Sequence, residues 1–256
     1  MILCVAAIAL FVFMTLLYGV SLLIKNNGIA DVGYGIACMV AIGMVVPFAP
    51  EPAALTVVFA VLPYIWGVRL AVRIGKKNFG KPEDFRYKAW RDQWGSTFWW
   101  RSYLQVYLLQ GSVIFIVALP VLLALGYPNE LPIAWLAYLG FALWTIGFVF
   151  EVVGDYQLDR FIGNPLHKGK IMMSGLWRYS RHPNYFGESL MWWGVGLAAA
   201  GLSAYPLIGF VSPLLITYLL RYVSGVPMLE ARWAGNPEWE AYKARTSVLV
   251  PWFPRT

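Results

Sequence analysis

The chain has 256 residues, of which 59% are hydrophobic and only 13% are charged. A soluble domain usually carries about 25% charged residues, so a single globular core would not absorb this much apolar surface, and lipid is the expected solvent for the outside of the fold. The net charge of +7 would otherwise suggest a nucleic-acid partner. Because the basic residues lie between apolar runs, we attribute the charge to orientation in a membrane and expect no nucleic acid to bind.

Cysteine and histidine are too sparse for a metal centre. Cys4 and Cys38 both lie in apolar runs, and the two histidines are His167 and His182. Without a CxxC motif or a Cys/His cluster, the sequence supports neither a disulfide framework nor a zinc site. We therefore expect no metal in this protein.

The apolar segments are long enough to form helices that cross a membrane. Seven such runs occur, at about 2–24, 29–49, 53–74, 103–126, 132–153, 187–202 and 205–224. At about 1.5 Å per residue, about 20 residues cross the hydrocarbon core, and helices satisfy their own backbone groups in lipid. The first run has no basic segment before it and no cleavage pattern after it, so we interpret it as a retained helix. The sequence predicts an all-α polytopic membrane protein with about seven transmembrane helices.

Lysine and arginine lie in or beside alternate connections, apart from Arg69 in the last third of the third run. They follow or end the first, third, fifth and seventh runs, whereas the connections around Glu51, Glu130 and 201–206 contain none. With seven helices, every basic connection lies on one face. The positive-inside rule puts that face and the C-terminus in the cytosol and the N-terminus outside.

Four acidic residues lie in or beside the predicted helices, where ionisable groups are costly and often functional. Asp31 opens the second run, Glu151 and Asp155 end the fifth, and Glu188 opens the sixth. In the predicted topology all four lie toward the cytosol, which indicates a polar pocket open to that side. Two structural alternatives stay open: Asp31 as a cap of the second helix, and Glu151 with Asp155 as partners of basic residues.

The densest polar segment is GLWRYSRHPNYFGES, residues 175–189, directly before a predicted membrane helix. Arginine binds phosphate or carboxylate through paired hydrogen bonds, asparagine offers donors and an acceptor, and a helix N-terminus favours an anion. The segment therefore suits a large charged cofactor, such as a dinucleotide or a sulfonium nucleoside. Binding of lipid headgroups by a juxtamembrane segment is the alternative.

Together with the upstream PEDFRY and the end SGVPMLEARW…EWEAYKARTSVLVPWFP, this segment resembles the bacterial branch of the steroid 5α-reductase superfamily. Sterol Δ14- and Δ7-reductases are wider relatives, and isoprenylcysteine carboxyl methyltransferases are more distant ones. The resemblance implies an NADPH-dependent membrane reductase that saturates the C=C bond of an enone lipid, such as a 3-oxo-Δ4 steroid. It also implies a bacterial inner-membrane protein with an active site open to the cytosol.

The resemblance also assigns roles to residues. It makes 1–101 the substrate side and 102–256 the cofactor-binding half of a single membrane domain. Asp31 is expected to be protonated and to donate a hydrogen bond to the substrate carbonyl, with Tyr64 or Tyr34 as the second donor. The residues expected to bind NADPH, from the polar segment or from the resemblance, are Glu151, Asp155, Lys170, Arg178, Arg181, His182, Asn184, Tyr185, Glu188, Arg221 and Tyr242.

Two other functions stay open at this point. One is an S-adenosylmethionine-dependent methyltransferase, which Glu230 and the aromatic C-terminal stretch also fit. The combination of Asn184 with Gly187 and Glu188 favours the reductase. The other is a non-enzymatic lipid-binding membrane protein or transporter, although the sequence lacks obvious inverted repeats.

Overall fold

The structure is a computed structural model that describes residues 1–255, and its regular elements are all helical, which confirms the predicted fold class. The α-helices, in chain order, are α1 Ile2–Ile24, α2 Ile29–Gly43, α3 Ala54–Asn78, α4 Phe85–Trp94, α5 Phe98–Ser102, α6 Leu109–Gly126, α7 Ala134–Ile162, α8 Pro183–Leu202, α9 Val211–Tyr218, α10 Val226–Glu230 and α11 Pro237–Arg245.

Two of these helices continue through π-helical turns. Tyr103–Leu108 joins α5 to α6, and Leu219–Val223 extends α9. As a result, the fourth predicted run, 103–126, is the second part of a helical segment that starts at Phe85. The polar residues of α4 hid this continuity, because apolar periodicity detects only the part of a helix that faces lipid or core.

Six helical segments of the described chain are long and apolar enough to cross a membrane: Ile2–Ile24, Ile29–Phe48, Ala54–Asn78, Phe85–Gly126, Ala134–Ile162 and Ile208–Trp233. Large apolar side chains on them are exposed, such as Ile8, Phe11 and Leu16 on α1, as expected of lipid-facing surface. The chain is an integral membrane protein. The remaining predicted run forms α8, which has 20 residues and is not among these six segments. The count of seven crossings and their orientation stay predictions.

The chain divides into two compact units. One comprises residues 1–134 and 199–209, and the other comprises 135–198 and the chain from Phe210 onward. The single membrane domain with a substrate side at 1–101 and a cofactor-binding half at 102–256 stays a prediction.

In the first unit α2 packs against α1, α3 and α6. Small residues allow a close approach of α2 to α3, because a Cβ atom at Gly35 would lie 2.5 Å from the Gly67 carbonyl oxygen. Ala37, Ala41 and Trp66 are buried beside this contact. This packing fixes the position of the first turn of α2, where Asp31 lies.

In the second unit α7 and α8 run antiparallel in close contact. Their contacts repeat every seven residues, at Gly140, Gly147 and Gly154 on α7 and at Gly187 and Gly194 on α8. A Cβ atom at Gly187 would lie 2.4 Å from the Glu151 amide nitrogen and 2.5 Å from the Gly147 carbonyl oxygen. The glycines therefore let the part of α7 that carries Glu151 and Asp155 approach the polar start of α8.

Candidate functional site

Asp31 is hydrogen-bonded to two residues of α4. Arg86 Nη2 donates to Asp31 Oδ2 at 2.7 Å, and the Tyr87 hydroxyl donates to Oδ1 at 2.6 Å. Asp84 caps α4 by accepting from the Arg86 amide at 3.0 Å, and it also accepts from Arg86 Nε at 2.8 Å. The Asp31 carboxylate therefore meets a guanidinium group and a phenol that one short helix holds in place.

This geometry bears on two expectations about Asp31. The sequence predicted a protonated carboxyl group that donates a hydrogen bond to the substrate carbonyl, and that role stays a prediction. In the structure both carboxyl oxygens accept hydrogen bonds, one of them from Arg86, which the apolar pattern did not reveal. Asp31 also does not cap α2, because the capping position is Gly28 and no side chain caps this helix end.

Glu83 fastens the start of α4 to the connection between α1 and α2. Its carboxylate accepts from the Asn27 amide at 2.8 Å and from Arg91 at 2.8 and 3.0 Å. Burial alone would raise the pKa of Glu83, but the hydrogen bonds from Arg91 and Asn27 and the charge of Arg91 outweigh it, so the pKa is lowered from its ordinary 4.5. This ionised contact keeps the start of α4 beside the start of α2.

The two tyrosines expected beside Asp31 have other contacts. Tyr64 donates to the backbone oxygen of Met39 at 3.1 Å. Met39 follows Asp31 by roughly 12 Å along α2, at about 1.5 Å per residue. Tyr34 packs edge-on against Trp66, with ring centroids 6.1 Å apart. The catalytic roles of Tyr64 and Tyr34 stay predictions, whereas the tyrosine that hydrogen-bonds to Asp31 is Tyr87.

In the second unit, Asp155 in the last third of α7 pairs with Asn184 at the start of α8. Asn184 Nδ2 donates to Asp155 Oδ1 at 3.0 Å. Because a carboxylate only accepts, this contact fixes the orientation of the amide. Asn184 Oδ1 is buried and has no hydrogen-bond partner within residues 1–255. A buried acceptor without a donor costs free energy, so this position suits a ligand that brings an N–H group.

Arg181 and His182 share one carboxylate, that of Glu230. Arg181 Nε donates to Glu230 Oε1 at 2.9 Å, and His182 Nε2 lies 3.0 Å from the same oxygen. Arg181 Nη1 also donates to the backbone oxygens of Lys243 at 2.8 Å and Thr246 at 3.2 Å. Both Arg181 and His182 are buried. The arginine that the sequence assigned to a cofactor thus ties this segment to the C-terminal part of the chain.

His182 also faces a cavity. The Glu230 carboxylate can only accept, so it takes its hydrogen bond from His182 Nε2. The other ring nitrogen, Nδ1, is buried and has no hydrogen-bond partner in the described chain. The ring stacks on Tyr185 at 5.5 Å between centroids. His182 therefore has one buried ring nitrogen that no described residue contacts by a hydrogen bond.

The cavity beside His182 has a volume of about 330 Å³. It brings together four of the residues expected to bind the cofactor, which are Lys170, Arg181, His182 and Tyr242. Indole rings form much of the remaining wall, those of Trp177, Trp233 and Trp239. Aromatic rings beside basic groups suit a nucleotide, because a base can stack and a phosphate can pair.

Tyr242 is fixed at this cavity by α11. Asn236 caps that helix by accepting from the amides of Glu238 at 2.9 Å and Trp239 at 3.2 Å. The Tyr242 hydroxyl donates to the backbone oxygen of Trp177, and burial raises the pKa of Tyr242. The hydroxyl is therefore a structural donor that holds the wall of the cavity.

The other expected cofactor residues are more scattered. Arg178 is exposed and lines a different cavity, together with Arg245 and Arg255. Arg221 lies in the π-helical turn Leu219–Val223, with its guanidinium carbon 4.8 Å from the centroid of the Tyr222 ring. Glu188 lies near the start of α8, as expected, whereas Glu151 lies in the middle of α7, because this helix continues to Ile162 beyond the predicted run. The cofactor roles of all these residues stay predictions.

Sequence reasoning assigned no role to Arg86 or Tyr87, and it considered Glu230 only for the methyltransferase. The signal was present, because Arg86 and Tyr87 belong to PEDFRY and Glu230 belongs to LEARW, two strings that carried the family resemblance. Their contacts could not be predicted, because they join residues that lie far apart in the chain.

These features define a polytopic helical membrane protein with buried ionisable groups of the kind that membrane enzymes use. The chain belongs to the family described as Protein of unknown function (DUF1295), which matches residues 17–246. It is also similar to 3-oxo-5-alpha-steroid 4-dehydrogenase 1 of Rattus norvegicus, with 31% identity over 113 residues, or 44% of this chain and 40% of the relative. This confirms the expected superfamily.

Two shorter matches have higher identity. The same-named protein of Mus musculus is 42% identical over 64 residues, or 25% of each chain. A probable O-methyltransferase, ustE, of Ustilaginoidea virens is 36% identical over 63 residues, or 25% of this chain and 22% of the relative. The matched segments span less than half of each of these curated relatives. No solved structure matches the chain.

Proposed function

We propose that this protein is an NADPH-dependent membrane reductase that saturates the C=C bond of an enone lipid, such as a 3-oxo-Δ4 steroid. The observation that carries the proposal is the Asp155–Asn184 pair, whose buried Asn184 Oδ1 has no donor within residues 1–255. A nicotinamide carboxamide would supply the missing N–H group. The rat and mouse relatives, named as steroid dehydrogenases, support the same reaction class.

The residues that would hold the cofactor belong to the second unit. Asn184 and Asp155 would bind the nicotinamide amide and ribose. The cavity of about 330 Å³ would take another part of the nucleotide, with indole rings for stacking and Lys170 for a phosphate. When bound, NADPH would supply the hydride that is added to the β-carbon of the enone, and a proton from water would complete the saturation at the α-carbon.

The residues that would act on the substrate carbonyl belong to the first unit. Hydride addition builds negative charge on the carbonyl oxygen, and a donor placed there stabilises the transition state. Tyr87 is our choice for this donor in place of Tyr64 or Tyr34. Asp31 would act as a positioning residue, because it accepts from the Tyr87 hydroxyl at 2.6 Å and is itself held by Arg86.

The cofactor is tested by thermal stabilisation of the detergent-purified protein. We expect NADPH to raise the melting temperature, and we expect Asn184→Ala to weaken NADPH binding by about tenfold or more, because a buried hydrogen-bonded group is lost. Asn129→Ala is the matched control, since Asn129 lies in a connection and accepts only a local amide, that of Leu131. Equal NADPH binding by wild type and Asn184→Ala would contradict the assignment of this residue.

The substrate is tested by NADPH oxidation in the presence of membrane-soluble enones, with the product identified by mass spectrometry. A product two hydrogens heavier than the enone is the expected result. Failure of every enone, with NADPH binding intact, would reject the substrate class and retain the cofactor.

A methyltransferase is the second candidate, because the chain matches the probable O-methyltransferase over 63 residues. The same thermal measurement separates the two. Stabilisation by S-adenosylmethionine but not by NADPH would favour the methyltransferase and overturn the reductase.

A further inference from the structure

We propose that the end of the chain forms a binding site for the headgroup of an anionic phospholipid. Arg178, Arg245 and Arg255 line one cavity of about 560 Å³, which we call the arginine pocket. Its other lining residues are Met173, Tyr242, Thr246, Phe253 and Pro254. No acidic side chain lines this cavity in the part of the chain that the structure describes.

The three arginines carry uncompensated charge. None of them forms an ion pair within residues 1–255, and the one side-chain contact among them is that of Arg245 Nη2 with Met173 Sδ at 3.7 Å. Three positive charges around one cavity repel each other, so an anion that enters it is favoured. Guanidinium groups bind phosphate through paired hydrogen bonds, which makes a phosphate group the expected ligand.

The backbone that carries these arginines is held in place. The Arg181 amide donates to the Ser247 carbonyl at 2.8 Å, and the Trp252 amide donates to the Tyr179 carbonyl at 2.9 Å. The Arg255 amide donates to the Arg245 carbonyl at 2.9 Å, which keeps these two arginines together. The pocket is therefore formed before a ligand binds, so binding requires little ordering of the backbone.

Exposed apolar side chains beside the pocket point to a lipid. Val250, Trp252 and Phe253 are 59%, 71% and 76% exposed, although the backbone around them is hydrogen-bonded. Trp and basic residues near the end of a membrane helix are typical of the headgroup region. The last apolar segment ends at Trp233, a short distance before this stretch in the chain. A phospholipid satisfies both features, with its phosphate on the arginines and its glycerol and acyl parts against the aromatic side chains.

The test uses native mass spectrometry of the full chain, purified in detergent and titrated with dihexanoyl phosphatidylglycerol or dihexanoyl phosphatidylcholine. We expect the anionic lipid to bind more tightly. The Arg245→Gln/Arg255→Gln double variant should bind it about thirtyfold more weakly, because two basic residues at roughly 1 kcal/mol each near an anionic headgroup are lost. Lys81→Gln/Lys168→Gln, which removes two exposed charges elsewhere, should bind as wild type does.

Two further arms separate a lipid from other phosphates. Inorganic phosphate at the same concentration should not compete, and the double variant should keep the thermal stabilisation by NADPH. Loss of that stabilisation would assign the pocket to a nucleotide phosphate and overturn the lipid proposal. Equal binding of the two lipids by wild type would also overturn it. Arg255→Gln alone, whose side chain has no described hydrogen bond, covers the case in which the double variant does not fold.

Discussion

The contact between Tyr87 and Asp31 joins two residues that lie 56 positions apart in the chain. Asp31 has a side chain that is 19% exposed, and Arg86 and Tyr87 bind its two oxygens separately. The Tyr87 hydroxyl carries one proton, so donation to a substrate carbonyl would require the O–H to turn away from Asp31. In our proposal the carboxylate keeps the phenol ring in place for this turn.

Tyr87→Phe tests this site at the level of one atom. The ring stays and only the hydroxyl is lost, so we expect the fold and the thermal stabilisation by NADPH to remain. Turnover of an enone should fall by about 10²–10³, which is the usual cost of removing one donor from a developing oxyanion. Tyr64→Phe is the matched control, because that hydroxyl donates to the Met39 carbonyl. A large loss in Tyr64→Phe with normal turnover in Tyr87→Phe would restore the original expectation.

Residue types and motifs could be predicted from the sequence, but their partners could not. The sequence identifies Asp31, Asp155 and Asn184 as polar groups in or beside apolar helices. Burial of such groups in a membrane costs free energy, so a functional role is expected. The sequence did not reveal the partner of Asp31 because α4 is polar. A helix without apolar residues at helical intervals cannot be located from the sequence pattern. The sequence likewise does not indicate that Arg181 donates a hydrogen bond to Glu230.

At the scale of elements, the pairing of α7 with α8 is the contact on which the proposed cofactor site depends. Glycines at intervals of seven residues keep the same face of each helix toward the other over several turns. This close approach places Asp155 3.0 Å from the Asn184 amide. The repeat is visible in the sequence once both helices are aligned antiparallel. It was missed because single glycines in apolar runs look like ordinary membrane-helix composition.

Gly187→Ala tests this pairing. The added Cβ atom would lie 2.4 Å from the Glu151 amide nitrogen, so the two helices have to move apart. Overpacking of this kind usually costs about 1–3 kcal/mol, and we expect a lower melting temperature and weaker NADPH binding. Gly19→Ala on α1 is the control, because nothing lies within 4 Å of its added Cβ atom. Alanine favours a helix interior, so this control should melt at or above the wild-type temperature. Unchanged melting of Gly187→Ala would contradict the close packing.

At the scale of the whole molecule, the contacts at the two ends of α8 support the prediction that it crosses the membrane beside α7. Its start lies beside Asp155, seven residues before the end of α7. Its end lies beside the residue before α7, because the Ile133 amide donates to the Gly201 carbonyl at 2.9 Å. Between these two contacts α8 would span the same distance as residues 134–155 of α7. The polar groups in its first turns can be tolerated because they face α7 instead of lipid.

The number of crossings can be measured by labelling single cysteines in a background without the native ones. If α8 crosses, the seven-helix topology puts Glu130 and Leu207 on one face and Lys168 and Glu240 on the other, with the basic face in the cytosol. In intact bacterial cells, a membrane-impermeant maleimide should label Glu130→Cys and Leu207→Cys. Lys168→Cys and Glu240→Cys should react only after permeabilisation. If α8 did not cross, Lys168→Cys and Glu240→Cys would react from opposite sides. That outcome would separate the two basic segments, and with them the residues expected to form one cytosolic cofactor site.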